Sequence, residues 1–278
     1  MIQRIKTLTK YLLYRLTNSM SASIYLLVGF AFYWLTFFQR APEPEYFIMV
    51  VGFFGLIITF FSTLTVASKA NEAKSYPFLM RLESRVEFLV SIILTSLIFG
   101  LALQLLMTAV VLLRNGPELT FNRVLEIPPI WLSLNILASV VALQASDFVS
   151  YGWSRVWVFG MLAVALVVGD DNGVTLNWIA DLMRGVAAEP TGGNNVLAQL
   201  SNLLNLAADF LTGNVMSTIS NIFSGLFWPF QAIIDAVMTG HFTSSQAWAP
   251  ALLLIFASVL FLLAADFFSS RDMILNED

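Results

Sequence analysis

The side chains of this sequence that could carry function are amides placed inside otherwise apolar stretches. Gln104, Asn135 and Gln144 each lie in an uncharged stretch about as long as a bilayer is thick. A polar group in hydrocarbon is costly unless it is hydrogen-bonded, so such residues face a bundle interior or a pathway. We predict that these three amides mark an inward-facing surface. There they either bond one helix to another or contact a substrate, and the sequence leaves both roles open.

Acidic residues could serve in a proton relay or an ion site if they lay near the membrane centre. Asp147 and Asp266 lie in or beside predicted membrane spans, and both fall near the ends of those spans. The sequence therefore disfavours ion-coupled transport.

Residues that support catalysis are scarce. The chain has no cysteine and a single histidine, His241, which excludes thiolate metal sites and multi-histidine centres within one chain. It contains no G-x-x-x-x-G-K-[ST] phosphate loop. Intramembrane proteolysis requires serine with histidine, paired aspartates or zinc ligands, and His241 stands alone in a predicted loop. We expect no enzyme activity, cofactor or metal in this chain.

Composition indicates which solvent surrounds the chain. Hydrophobic residues make up 58% of it and charged residues 12%, about half of the roughly one-quarter share found in soluble domains. A membrane-spanning helix needs about 20 apolar residues, because its backbone must satisfy its own hydrogen bonds. We predict an all-α polytopic membrane protein with about six transmembrane helices, at 20–39, 46–68, 88–113, 127–147, 153–169 and 249–268.

The fifth of these spans is short, since only residues 156–169 are uncharged. It reaches span length when Trp153 and Arg155 sit in the membrane interface, with the arginine extended towards water.

The distribution of lysine and arginine predicts an orientation, because flanking basic residues tend to stay in the cytoplasm. With six spans, ten of the 14 basic residues fall on the side that holds both termini. The other side holds Arg40, Arg114, Arg123 and Arg184. We predict a multi-pass protein of the cell (inner or plasma) membrane with both termini cytoplasmic. The net charge of −4 and the lack of a basic stripe argue against nucleic acid as a partner.

The N-terminal segment 1–18 has an apolar arc at helical spacing, formed by Ile2, Ile5, Leu8, Leu12 and Leu16. Its basic residues lie off that arc, as in a helix that lies flat on a membrane surface. An ordinary basic topology signal explains the pattern equally well. The apolar run that follows is as long as a span and lacks a small-residue cleavage site, so we interpret it as retained.

Segment 69–87 is charged and longer than a connection between two helices needs to be. Ser75, Tyr76 and Pro77 are typical of a helix start, which predicts a short cytoplasmic helix before the third span. Such a helix suits docking onto a soluble partner, although a solvated loop accounts for the same spacing. The candidate docking residues are Lys69, Glu72, Lys74, Arg81, Glu83 and Arg85.

Segment 170–248 is too apolar for an ordinary exposed loop. Asn194 and Asn195 precede apolar residues at helical spacing as far as Leu211, which predicts a helix against the membrane or the bundle. The stretch 210–234 is mainly apolar but contains several polar residues. We predict two short re-entrant helices there, broken near Pro229, with a seventh span as the alternative.

The order of these parts resembles the permease subunits of type-2 ATP-binding-cassette (ABC) exporters. The stretch ASKANEAKSYPFLMRLESRVEFLVSIILTSL (67–97) is similar to that family's passage from the second span through the coupling helix into the third. The ending FFSSRDMI, with Arg271 and Asp272, also resembles the family. The resemblance implies an ATPase subunit docked on residues 69–85 and a second permease half, identical or related, that encloses the substrate route. The 79-residue outer segment is longer than that family's usual pair of re-entrant helices.

We therefore expect a permease that exports a lipidic, drug-like or glycan substrate, driven by ATP hydrolysed in a separate subunit and surrounded by membrane lipid. The alternative is a non-transporting membrane scaffold that derives from or resembles such a permease.

Overall fold

The structure is a computed structural model of the 278-residue chain, and it describes residues 1–38, 42–70, 84–146, 149, 181, 184, 203, 205, 206, 209 and 214–270. Every regular element in these ranges is a helix. The elements are α1 (Ile2–Thr17), α2 (Met20–Phe37), α3 (Pro44–Ala70), α4 (Arg85–Asn115), α5 (Phe121–Gln144), α6 (Asn214–Thr239) and α7 (Ala249–Ser270), with a 3-10 turn at Gln246–Trp248 before α7. The predicted all-α class is confirmed.

Five helices among the described residues are long and apolar enough to cross a membrane. They are α2, α3, α4, α5 and the stretch Gln246–Phe268, which contains most of α7. The chain is therefore a polytopic membrane protein, as its composition predicts. The predicted span at 153–169 lies outside the described residues.

The chain divides into two compact units, unit 1 (Met1–Val158 and Ala232–Asp278) and unit 2 (Phe159–Gln231). In unit 1, α3 packs against α4 and α5, while α7 packs against α5 and α1 against α4. About half of the apolar length of α3, α4 and α5 is buried, against 22% for α2 and 22% for Gln246–Phe268. The core of unit 1 is thus formed by α3, α4 and α5, with α2 at its edge.

Glycine allows α3 and α4 to approach closely. A Cβ atom added to Gly100 on α4 would collide with Oγ1 of Thr59 on α3 and come within 3.2 Å of the Thr59 Cα. At Gly55 on α3 an added Cβ would collide with the side chain of Gln104. Small residues at such positions are the usual means by which membrane helices bring their backbones together.

Helix α1 is amphipathic and packs against α4. Leu8, Leu12 and Leu16 of its predicted apolar arc are buried, whereas Ile2 at its beginning is exposed. Part of the apolar arc is therefore covered by the protein itself.

The predicted break near Pro229 is wrong, because α6 continues from Asn214 to Thr239 with Pro229 inside it. Proline removes one backbone hydrogen bond, and its ring presses on the carbonyl four residues earlier. That residue is Gly225, where an added Cβ would meet nothing within 4 Å, so the space beside the helix is open at this point. Helix α6 is amphipathic and is not one of the five helices described above.

Candidate functional site

Two of the predicted polar residues, Gln104 and Asn135, meet in the core of unit 1. Asn135 Nδ2 donates to Gln104 Oε1 over 2.7 Å, and Gln104 Nε2 donates to the backbone oxygen of Val51 over 3.1 Å. Thr59 Oγ1 donates to Asn135 Oδ1 over 3.0 Å. Gln104, Asn135 and Thr59 are each 0% exposed. The amides therefore link α4 to α5, and both helices to α3.

Hydroxyl groups continue this network along the α3–α5 contact. Thr63 Oγ1 lies 2.8 Å from the Thr59 backbone oxygen and 3.1 Å from Ser139 Oγ. Further along α5, Trp131 Nε1 donates to the backbone oxygen of Ile48 over 3.1 Å. Buried groups that are hydrogen-bonded in this way fix the rotation of neighbouring helices. We call Thr59, Thr63, Gln104, Asn135 and Ser139 the core polar network.

Gln144, the third predicted amide, lies apart from that network. Its Nε2 donates to the backbone oxygen of Leu260 over 2.8 Å, which joins the end of α5 to α7. All three amides thus contact neighbouring helices of the same chain in this structure.

Of the candidate docking residues, Lys69 is the one whose side chain the structure describes. It lies in the last turn of α3, with Nζ 3.4 Å from Ser21 Oγ on α2. Arg85 begins α4, and Glu72, Lys74, Arg81 and Glu83 lie outside the described residues. The candidate docking residues therefore run from the last turn of α3 to the first residue of α4.

Arg15 ties α1 to this same region. Its Nη1 donates to the backbone oxygen of Lys69 over 3.0 Å, one of the carbonyls at the α3 C-terminus that lack a partner within the helix. We call this region, where α1, the last turn of α3 and the first turns of α4 lie together, the Lys69 end of unit 1. The opposite end, where α2 terminates, is called the Phe37 end.

The first turns of α4 lie against α1 at the Lys69 end. Ser91 Oγ lies 3.5 Å from the backbone oxygen of Ile5, and Thr95 Oγ1 lies 3.4 Å from that of Thr9. Glu87 is 4% exposed, and its Oε2 has no hydrogen-bond partner among the residues that the structure describes. The sequence places Glu87 in a charged segment and gives no sign that its side chain is buried.

A buried arginine, Arg123, lies near the beginning of α5 at the Phe37 end. It is 6% exposed and donates to the backbone oxygens of Ala236 over 3.3 Å and Val237 over 2.8 Å, at the C-terminus of α6. It also forms ion pairs with Glu45 and Glu126, both at 3.4 Å. Arginine suits this position because cations stabilise helix C-termini and its several donors bond separate acceptors.

Gly240 ends α6 immediately after this contact. Its φ of 88° lies in the left-handed region that commonly terminates helices. Arg123 and Gly240 together define where α6 ends. In the sequence Arg123 is a charge that flanks a span, and no pattern indicates that its backbone partners lie more than a hundred residues later.

Catalytic or metal-binding groups are not assembled in the described part of the chain. No group of three histidine, cysteine, aspartate or glutamate residues there lies close enough to hold a metal ion. His241 follows α6, with Nδ1 3.2 Å from the Thr239 backbone oxygen. Comparison of the chain with protein-family models, curated proteins and solved structures gives no match. A functional assignment therefore has to come from the residues and their geometry.

Proposed function

We propose that this chain is a permease subunit of an ATP-binding-cassette transporter, which forms the membrane path for an exported substrate together with a second permease half. A separate subunit hydrolyses the ATP. The observation that carries the proposal is the hydrogen bond between Arg15 and the backbone of Lys69, which ties α1 to the point where the charged segment begins.

Both ends of that charged segment are attached to packed helices. On one side, Lys69 contacts Ser21 and accepts the Arg15 hydrogen bond. On the other side, the first turns of α4 pack on α1 through Ser91 and Thr95. A partner that displaced the segment would therefore displace α1, α3 and α4 as well. A transporter requires this coupling between the segment that binds its ATPase and the membrane helices.

The substrate route in this proposal lies between two permease halves. Gln104 and Asn135 are fully buried and bonded to other helices, so they present no polar group to a substrate. Helices α2 and α4 of unit 1 expose large apolar side chains, such as Leu27 on α2 and Leu113 on α4. Apolar surfaces of this kind face either lipid or another helix in a membrane.

The docking claim is tested by co-purification in a mild detergent, followed by identification of the bound proteins. Wild-type protein should recover an ABC ATPase, and the double variant Arg81→Glu, Arg85→Glu should recover about tenfold less, since reversed charges repel a complementary surface. The control is Lys10→Glu, a charge reversal at an exposed residue of α1. Recovery of the ATPase by the double variant at wild-type level would exclude docking through these arginines.

The scaffold alternative is favoured by exposed leucines on unit 2, where Leu203 and Leu206 are 66% and 70% exposed. Such residues could contact another membrane subunit. Co-purification with unrelated membrane proteins and no ATPase would support the scaffold and overturn the permease proposal.

A further inference from the structure

An apolar crevice of about 370 Å³ lies between α2, α3 and α4 of unit 1. Its lining includes Tyr25, Gly29 and Tyr33 of α2, Phe54 of α3, and Met107 and Val110 of α4. A volume of this size is within the range of about 300–1,000 Å³ that is typical of small-molecule sites. The crevice exists because α2, the edge helix, does not close fully onto α3 and α4.

The crevice opens through the side of the bundle. Phe30 and Leu106, which also line it, are 66% and 53% exposed. Because α2 and α4 are both candidate membrane spans, this opening faces hydrocarbon. A crevice with almost no polar groups excludes water and is filled by apolar molecules. The apolar molecule present in quantity at that position is a lipid acyl chain.

The positively charged side chain of Arg114 lies at one end of the crevice. Arg114 lies one helical turn beyond Val110, and its Nη1 donates to the hydroxyl of the lining residue Tyr33 over 3.3 Å. Its guanidinium carbon lies 4.2 Å from the ring centroid of Phe38. These two contacts fix the position of the guanidinium without neutralising it. Among the described residues, no carboxylate pairs with it.

The aromatic residues around Arg114 indicate the depth of this end in the membrane. Trp34 and Phe38 stack at 3.7 Å, and Phe37 packs edge-on against Tyr46 at 5.8 Å. Tryptophan and tyrosine concentrate where hydrocarbon meets the lipid headgroups. Arg114 is therefore at headgroup level, while the crevice extends from it towards the membrane interior.

We propose that unit 1 binds one membrane phospholipid with an anionic headgroup, with an acyl chain in the crevice and the phosphate on Arg114. Guanidinium binds phosphate oxygens through paired hydrogen bonds, and the charge favours anionic over zwitterionic headgroups. The site is independent of the proposed ATPase partner. Its ligand is a bound lipid of the surrounding membrane.

The test is native mass spectrometry of the full chain in detergent, with phosphatidylglycerol or phosphatidylcholine of identical acyl chains added. Wild-type protein should retain phosphatidylglycerol preferentially. Val110→Trp fills the crevice and should lower retention of both lipids about tenfold, as expected when several methylene groups lose their contacts. Leu113→Trp is the matched control, because Leu113 is 87% exposed on the same helix and does not line the crevice.

The headgroup contact is tested separately with Arg114→Gln, which should reduce the preference for phosphatidylglycerol about fivefold, and with Arg114→Lys, which should preserve it. Glycerophosphoglycerol, which has no acyl chains, should not displace the lipid. Retention by Val110→Trp at wild-type level, or displacement by the chain-free headgroup, would overturn the proposal. Loss of a dimer by Val110→Trp with unchanged lipid retention would do the same, because it would assign the crevice to a second copy of the chain.

Discussion

Asn135 and Gln104 are joined by a 2.7 Å hydrogen bond between α5 and α4, with both side chains fully buried. Each amide also bonds to α3, Gln104 through the backbone of Val51 and Asn135 through Thr59. The three central helices of unit 1 are therefore connected by side-chain hydrogen bonds as well as by apolar packing. The stability of the protein should depend on these bonds in a way that point variants can measure.

Replacing Asn135 with leucine should lower the free energy of unfolding by about 2–4 kcal/mol. Two buried groups, Gln104 Oε1 and the Thr59 hydroxyl, would each lose a partner at about 1–3 kcal/mol. Thermal unfolding in detergent measures the change. The double variant Gln104→Leu, Asn135→Leu should recover part of the loss, because it removes both members of the pair. Equal stability of the wild type and Asn135→Leu would contradict the role of the network.

Gly100→Ala should destabilise the protein by about 1–3 kcal/mol, the usual consequence of overpacking a tight contact. The new methyl group would collide with Thr59 on α3, including its backbone. The control is Gly225→Ala in α6, where an added Cβ meets nothing within 4 Å. That change should stabilise by up to about 1 kcal/mol through helix propensity. The two melting temperatures should therefore shift in opposite directions.

Arg123→Met should lower the free energy of unfolding by about 1–3 kcal/mol, because it leaves the backbone oxygens of Ala236 and Val237 without their donor and the part-exposed Glu45 and Glu126 without their cation. Arg123→Lys should fall between the wild type and Arg123→Met, since lysine keeps the charge but bonds fewer acceptors. Chemical denaturation of the purified variants would rank them. A lysine variant less stable than the methionine variant would show that charge contributes little at this site.

Glu87→Gln should stabilise the protein by about 1–3 kcal/mol, because its carboxylate oxygen is buried with no partner among the described residues and carries a desolvation cost that an amide reduces. Glu118→Gln is the control at an exposed position between α4 and α5, where little change is expected. If Glu87→Gln instead lowers the melting temperature, the carboxylate has a stabilising partner in the intact protein.

The orientation predicted from the basic residues can be tested by labelling, because the chain has no cysteine of its own. A membrane-impermeant maleimide applied to intact cells should label Glu118→Cys and leave Ser75→Cys unlabelled until the cells are opened. The reverse pattern would place the charged segment outside the cell and exclude contact with a cytoplasmic ATPase.

Five of the six predicted spans coincide with helices long and apolar enough to cross a membrane, because hydrocarbon imposes a long, uncharged segment wherever the chain crosses it. Their boundaries are less predictable. Helix α5 begins at Phe121 although the predicted span starts at 127, because the prediction counted uncharged residues alone and so left out Arg123 and Glu126, which pair with each other inside the helix. Pro128 and Pro129 lie within α5, and Pro229 lies within α6. Proline alone therefore does not mark the end of a helix in this chain.

The candidate site was only partly accessible from the sequence. Gln104 and Asn135 stand out because amides are rare within apolar spans, but which groups they bond depends on how each helix is rotated about its axis. That rotation is set by close contacts such as Gly100 with Thr59. Arg15 and Lys69 are 54 residues apart in the sequence, and no periodicity or motif predicts their contact.

The weak burial of α2 has a consequence for how this protein could change shape. With α3, α4 and α5 bonded side chain to side chain, relative sliding among them would break several buried hydrogen bonds at once. Helix α2 is joined to its neighbours by side-chain hydrogen bonds of Ser21 with Lys69, of Tyr25 with Thr65 and of Tyr33 with Arg114. A displacement of α2 would break these bonds and leave the core polar network intact, because no residue of that network lies on α2.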